Sequence, residues 1–190
     1  MVSPQTLSEP DRRIVAMWAA DCAERVLHLF ESVAPDDDRP REAIARARAY
    51  GRGELDTAGE IRRRFVAGRA ASYVETPVAV AAARSAAQAA SVAHVGAHAL
   101  GAAAYAVKAV GLAASAPRSD QEDEIRWQLE HMSFEVRTAL ATLPSLGEDS
   151  AGPLGPGLLT SGVLGSTIRT IQAELAHVAP GGIESPPPVP

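Results

Sequence analysis

A 38-residue stretch from Pro77 to Ala114 constrains the fold most, because its apolar residues are mostly alanine. Alanine is the strongest helix former, and its small side chain lets helices approach closely while each one buries little area. Aromatic residues make up only 4% of the chain, so few bulky side chains can fill wide gaps between elements. The stretch therefore predicts several closely packed helices, and it forms either one long helix or a helical hairpin bent near Gly96.

Start and stop signals predict further helices on both sides of this stretch. Ser8, Pro10 and Asp11 mark the start of a first helix, which ends before Pro35. Other helices are expected over residues 40–50, 56–72, 119–141 and 161–178, and strand-type alternation is missing throughout. The sequence predicts an all-α fold, a multi-helix bundle of about six to seven helices with a flexible C-terminal tail.

The composition changes after residue 143. The segment GEDSAGPLGPG is rich in glycine and proline, which is typical of a linker, and the chain ends on the proline-rich PGGIESPPPVP. We therefore predict a helical bundle domain over 1–143, a linker over 144–160, a C-terminal helix over 161–179 and a disordered tail over 180–190.

The charge pattern argues against nucleic acid as a partner. The net charge is −5, whereas affinity for phosphate backbones needs a strongly basic surface. Residues 1–118 carry 13 acidic and 15 basic side chains, and residues 119–190 carry ten and three, so the C-terminal part is acidic. The arginine run Arg62–Arg64 is interpreted as a solvated helix face. Seventeen of the 18 basic residues are arginine, which together with abundant alanine indicates a GC-rich genome.

The sequence also predicts a cytoplasmic protein. A single cysteine, Cys22, excludes an internal disulfide and fits a reducing compartment, and the N-terminus lacks the pattern of a signal peptide. The longest uncharged run, Ser85–Val107, has the length of a membrane span. It is rich in Ala and Gly and contains one Gln and two His, so we expect a buried protein helix and no membrane contact.

Polar side chains recur at three- and four-residue steps within the alanine-rich stretch, which places them on one side of a helix. We call them the polar seam; its members are Arg84, Gln88, Ser91, His94, His98, Tyr105 and Lys108. One interpretation is a solvated face. The other is a face turned towards a groove or partner, because solvated faces usually carry Glu and Lys instead of His, Tyr and Gln.

His94 and His98 have the spacing with which a helix offers two ligands to zinc. The glutamate of the metalloprotease pattern is missing beside His94, and a third ligand would have to come from elsewhere in the chain, for example from Asp21 or Cys22. Ordinary structural histidines are the favoured interpretation, and we expect no metal and no other cofactor.

The first helix carries charge on its apolar face. Arg25 lies near the middle of that face, and Asp21 lies one turn earlier. A buried charge requires a partner, so we expect Asp21 to pair with Arg25 or with an arginine of the Asp38–Arg41 turn. A ligand-binding role for these groups is the alternative. Cys22 lies beside Trp18 and is interpreted as an inert core thiol.

Four segments in order resemble a known family: WAADCAERVLHLFE (18–31), DDDRPREAIARARAY (36–50), AHVGAHALGAAAYAVKAV (93–110) and EIRWQLEHM (124–132). They are similar to the helical immunity proteins of bacterial polymorphic toxin systems, in the immunity-five-like group found often in actinobacteria. The resemblance covers residues 8–143 and implies a helical domain that neutralises a toxin. It implies as polar site positions Trp18, Asp21, Cys22, Asp38, Arg39, Arg41, His94, His98, Lys108 and Trp127.

The favoured hypothesis is an immunity protein that binds a cognate toxin without catalysis. Its candidate binding residues are Trp18, Asp21, Arg39, Arg41, Arg84, Gln88, His94, His98, Tyr105 and Lys108. The alternative is a helical protein that binds or processes a small molecule, such as a natural product, through the seam around His94, His98 and Tyr105. An enzyme is disfavoured because no set of nucleophile and base can be assembled, and the small-residue helix faces are compatible with a homodimer.

Overall fold

The computed structural model describes residues 3–63 and 66–177, in which helices are joined by turns and no strand occurs. The all-α fold class is thereby confirmed. The α-helices are α1 (Glu9–Glu31), α2 (Arg39–Gly51), α3 (Thr57–Arg63), α4 (Val66–Ala70), α5 (Pro77–Ser91), α6 (His98–Ala113), α7 (Pro117–Glu130), α8 (Phe134–Ala141) and α9 (Gly162–His177). The predicted tail over 180–190 lies outside the described residues.

The expected number of six to seven helices is too low, because predicted helices are divided. The alanine-rich stretch forms the hairpin of α5 and α6, with a turn over residues 92–97. The predicted helix over 119–141 is interrupted after Glu130, because the Ser133 hydroxyl accepts a hydrogen bond from the Val136 amide (3.2 Å) and begins α8 anew. The predicted helix over 56–72 corresponds to α3 and α4.

Helix α6 lies at the centre of the bundle. Every residue from Ala99 to Val107 is buried, and α6 packs against α1, α5, α7 and α9. The Ser85 hydroxyl of α5 donates to the Ala102 carbonyl of α6 (2.7 Å), a close approach that small side chains permit. Alanine in this helix therefore allows several neighbours to surround it. Among the described residues, no helix is both long and apolar enough to cross a membrane.

Helix α9 contributes to the same hydrophobic core. Its buried side chains Leu164, Ile168, Ile171 and Leu175 belong to the core cluster, and α9 contacts α6 and α8. Residues 144–161, which we call the connecting loop, are held by Gln5 near the N-terminus. The predicted boundaries at residues 143 and 160 stay a prediction, but these contacts lead us to expect that α9 unfolds together with the rest of the bundle.

Replacing Gln5 by Ala is expected to loosen the connecting loop. Gln5 is fully buried, its amide nitrogen donates to Asp149 (2.9 Å) and to the Ala151 carbonyl, and its oxygen accepts from the Leu154 amide (2.9 Å). Because the buried Leu154 amide would lose its acceptor, the free energy of unfolding should fall by about 2 kcal/mol.

Urea denaturation measures the stability loss, and hydrogen exchange at the Leu154 amide should accelerate in parallel. Ser150→Ala, at an exposed position of the same loop, is the control and should change stability by less than about 0.5 kcal/mol. Unchanged exchange at Leu154 in the Gln5 variant would show that Gln5 does not hold the loop.

Candidate functional site

The α5–α6 hairpin brings four residues of the polar seam together. His98 Nδ1 donates to Gln88 Oε1 (2.8 Å), and Arg84 Nη1 lies 3.4 Å from the Tyr105 hydroxyl, to which it donates. Tyr105 is only 3% exposed, whereas Arg84 is exposed. The seam thus runs across two antiparallel helices instead of along one, and its side chains bond to each other.

The connecting loop covers part of this seam. Gln88, His98 and Tyr105 line a cleft of about 250 Å³ whose opposite wall is formed by loop residues between Gly152 and Leu159. The lining residues of this cleft do not include His94 or Lys108; His94 is exposed and Lys108 is half-buried. At Gln88, His98 and Tyr105 the seam therefore faces a cleft, and the far wall of this cleft is the chain's own connecting loop.

The predicted two-histidine helix face is not formed, because His94 lies in the turn before α6 and only His98 is helical. Groups of three or more His, Cys, Asp or Glu side chains able to hold a metal are absent from residues 3–63 and 66–177. The four-residue spacing of these histidines therefore spans a turn and the start of α6, and the two side chains do not share a helix face.

The candidate residues of α1 are tied to other helices. Trp18 is 2% exposed, and its Nε1 donates to the Gln128 carbonyl of α7 (2.9 Å). Asp21 pairs with Arg48 of α2 (2.6 Å), so the expected partners, Arg25 and the Asp38–Arg41 turn, were wrong. The packing of α1 against α2 explains this choice, because it places Arg48 beside the Asp21 and Glu24 carboxylates.

Arg39 and Arg41 lie near the start of α2. Arg39 pairs with Asp37 (2.5 Å) and lies over the ring of Tyr73, 4.6 Å from its centroid, and Arg41 pairs with Glu31 (2.5 Å). The hydrogen bond from Arg39 lowers the pKa of Asp37. The structure does not bring these arginines into the seam cleft, so the candidate set divides into separate places on the molecule.

A cluster between α1 and α7 was found only in part from the sequence, which singled out Arg25 and Trp127 but did not place them together. Arg25 Nε donates to Glu124 (2.8 Å), and the Arg25 guanidinium lies 3.9 Å from the ring centroid of Trp127. Trp127 in turn stacks on His131, with ring centroids 3.9 Å apart and planes inclined by 21°. We call Arg25, Glu124, Trp127 and His131 the α1–α7 cluster. The spacing of Glu124, Trp127 and His131 at helical steps was the available signal.

The α1–α7 cluster is anchored in the core. Glu124 is 3% exposed, and besides Arg25 it accepts a hydrogen bond from Gln128 Nε2 (3.1 Å). Gln128 Nε2 also lies 3.2 Å from the Ala103 carbonyl of α6, to which it donates. Arg25 and Trp127 thus stand at the surface but are positioned by a buried carboxylate, which limits their freedom before any partner binds.

Comparison with known families shows which family the chain belongs to. The family model described as "Imm-5 like putative immunity protein" matches residues 5–135. The chain belongs to this immunity protein family. A search of curated proteins gave no match, and neither did a search of solved structures. The resemblance inferred from the four sequence segments is confirmed.

The extent of the match divides the features of the chain into two sets. The α1–α7 cluster and the α5–α6 hairpin lie within residues 5–135, whereas the connecting loop and α9 follow the matched part. The cleft over the seam therefore depends on residues beyond the family match, and the α1–α7 cluster does not.

Cys22 is expected to resist thiol reagents while the chain is folded. The thiol is fully buried, and burial raises the pKa of Cys22 well above its ordinary value, so the reactive thiolate is scarce. Its modification by an aromatic disulfide at pH 8 should proceed only at the rate at which the protein opens, and it should become fast in 6 M guanidinium. Rapid labelling of the native protein would contradict this.

Proposed function

We propose that this chain binds a cognate bacterial toxin and neutralises it by occupying its surface, without catalysing a reaction. The observation that carries the proposal is the family match over residues 5–135. We place the action in the cytoplasm, where a reduced Cys22 is stable. Neutralisation by occupancy needs a preformed surface with a few well-anchored side chains, and the α1–α7 cluster supplies one.

The pairing of polar side chains supports binding over catalysis. Gln88 bonds to His98, Arg84 bonds to Tyr105, and Asp21 pairs with Arg48, so His98, Tyr105 and Asp21 each have a structural partner. None of these three pairs sets a nucleophile beside a base, which nucleophilic catalysis would require. These pairs are typical of side chains that fix neighbouring helices.

Co-expression tests the proposal in a bacterial host. A candidate toxin domain, chosen from the reading frames beside the gene of this chain, is placed under an inducible promoter, with and without this chain on a second plasmid. Growth should stop when the toxin is induced alone and continue when both are expressed, and the two proteins should co-purify. A toxin that kills equally with and without this chain would contradict the proposal.

The small-molecule alternative rests on one observation, the cleft lined by Gln88, His98 and Tyr105. Its volume of about 250 Å³ is close to the lower end of ligand pockets, which begin at roughly 300 Å³. Native mass spectrometry of the purified full chain tests it. A bound metabolite that is lost in Tyr105→Phe and His98→Ala would favour this function, and an unliganded protein that still neutralises its toxin would reject it.

A further inference from the structure

We infer that the toxin docks on the outer face of α7 and that it presents a basic surface there. This inference rests on the proposed function and specifies the place and the chemistry of the contact. The docking face is a stripe of four α7 residues, Asp120, Asp123, Trp127 and Glu130, which line one cleft of about 530 Å³ together with Arg25 of α1. We call these four residues the α7 stripe.

Helical periodicity explains why the α7 stripe is continuous. Its members follow each other at steps of three, four and three residues, which keeps them on one side of the helix. At 1.5 Å per residue, Asp120 and Glu130 lie about 15 Å apart along the axis, with Trp127 between them. A partner thus meets an aromatic ring flanked by a carboxylate on either side.

The charges of the cleft are unbalanced towards the negative. Its carboxylates are Asp120, Asp123, Glu124 and Glu130, whereas its arginines are Arg25 and Arg126. Arg25 pairs with Glu124 (2.8 Å) and Arg126 with Asp123 (2.7 Å). Asp120 and Glu130 form no ion pair with any other residue in the described ranges. Two carboxylates therefore remain for cations of a partner, and the same charge repels nucleic-acid phosphates.

Trp127 has the properties of an interface anchor. Tryptophan and arginine dominate the binding energy of protein interfaces when they are held in place by neighbours. Here the ring lies against the guanidinium of Arg25 and the ring of His131, and Glu124 fixes Arg25 from the buried side. The side chain of Trp127 therefore loses little conformational entropy on binding, so less of the free energy gained from its contacts is offset than for a mobile side chain.

The occupant that fits this face is a protein surface with Lys or Arg side chains about 15 Å apart around an apolar patch. The cations would reach Asp120 and Glu130, and the apolar patch would cover Trp127 and the Val110 side chain at the cleft. The acidic balance of residues 119–190, ten acidic against three basic, would attract such a partner over longer distances.

Collisional quenching of tryptophan fluorescence tests the local charge without a partner. Trp18 is 2% exposed, so the half-buried Trp127 dominates the response to quenchers. The quenching constants of caesium and iodide are each divided by their values for free tryptophan amide at equal ionic strength. The resulting ratio should be higher for caesium than for iodide. The preference should disappear in Asp120→Asn with Glu130→Gln and persist in the control Asp36→Asn with Glu75→Gln. An iodide quenching constant that exceeds the caesium constant in the native chain, after each is divided by its value for free tryptophan amide, would overturn the inference.

Binding to the toxin identified by co-expression tests the docking face itself, using the full chain and calorimetry. Trp127→Ala should weaken the Kd by about thirtyfold, and the Asp120→Asn, Glu130→Gln double variant by about tenfold with a smaller salt dependence. The Asp36→Asn, Glu75→Gln control removes the same charge elsewhere and should bind like the native chain. The double variant conserves side-chain size, so it stays informative if Trp127→Ala is unstable.

The outcomes of this experiment separate the two proposals. A native chain that neutralises the toxin while the α7 variants bind it equally well would overturn the docking face and leave the proposed function intact. A native chain that does not bind the toxin would overturn the proposed function, and the docking face with it.

Discussion

Replacing Ile168 and Ile171 of α9 together by Ala is expected to lower the free energy of unfolding by about 5 kcal/mol. Both side chains are fully buried and belong to the cluster that surrounds α6. Each replacement removes apolar contact and leaves a cavity that neighbouring alanines are too small to fill. Because a domain of this size is stable by only about 5–15 kcal/mol, much of the protein should be unfolded at 37 °C.

Urea denaturation followed by circular dichroism and by tryptophan fluorescence measures this loss. Trp18 lies in α1, far from α9 in the sequence, so a cooperative bundle should lose both signals in one transition. Thr170→Ala with Glu174→Ala on the exposed side of α9 is the control and should change stability by less than about 0.5 kcal/mol per site. A separate early transition in circular dichroism that leaves the tryptophan fluorescence unchanged would instead support the predicted division at residue 143.

Replacing Arg25 by Ala is expected to lower the free energy of unfolding by about 3 kcal/mol. Glu124 is 3% exposed, and without Arg25 its carboxylate would keep only the hydrogen bond from Gln128. An uncompensated buried charge is strongly destabilising, whereas an exposed ion pair contributes little. Arg126→Ala breaks the exposed pair with Asp123 and should therefore cost less than about 1 kcal/mol.

A second variant separates the charge effect from lost packing. Adding Glu124→Gln to Arg25→Ala removes the unpaired charge while conserving the shape of the side chain. The double variant should be more stable than Arg25→Ala alone, as measured by urea denaturation at pH 7. Equal stability of the two variants would show that Arg25 acts through its packing on Trp127 and not through its pairing with Glu124.

Local signals in the sequence were sufficient for the helices themselves. The predicted start at Ser8 is present, with its hydroxyl accepting a hydrogen bond from the Asp11 amide (3.2 Å). Local signals left open whether the alanine-rich stretch is one helix or two, because the turn is fixed by distant residues. The amides of Gly96 and Ala97 donate to the carbonyls of Thr6 and Gln5 (both 3.0 Å), contacts that no periodicity contains.

The candidate site was predicted only in part, because it too depends on contacts between residues that are distant in the sequence. The three- and four-residue spacing singled out Arg84, Gln88, His98 and Tyr105. The structure brings them together because the two helices of the hairpin place their polar residues on adjoining faces. The sequence placed Trp18 beside the core thiol Cys22 and also among the binding residues, and the structure buries it. The partner of Arg25 was missed because Glu124 is 99 residues away in the sequence and lies on a helix whose packing depends on α6.

Titration of toxin activity with this chain tests the central claim most directly. A fixed amount of toxin is mixed with increasing amounts of the chain, and residual activity is measured after short and long incubations. Neutralisation by occupancy predicts a break at one fixed molar ratio that does not change with time. Progressive loss of toxin activity at amounts far below that ratio would mean that the chain turns over and would contradict a non-catalytic immunity protein.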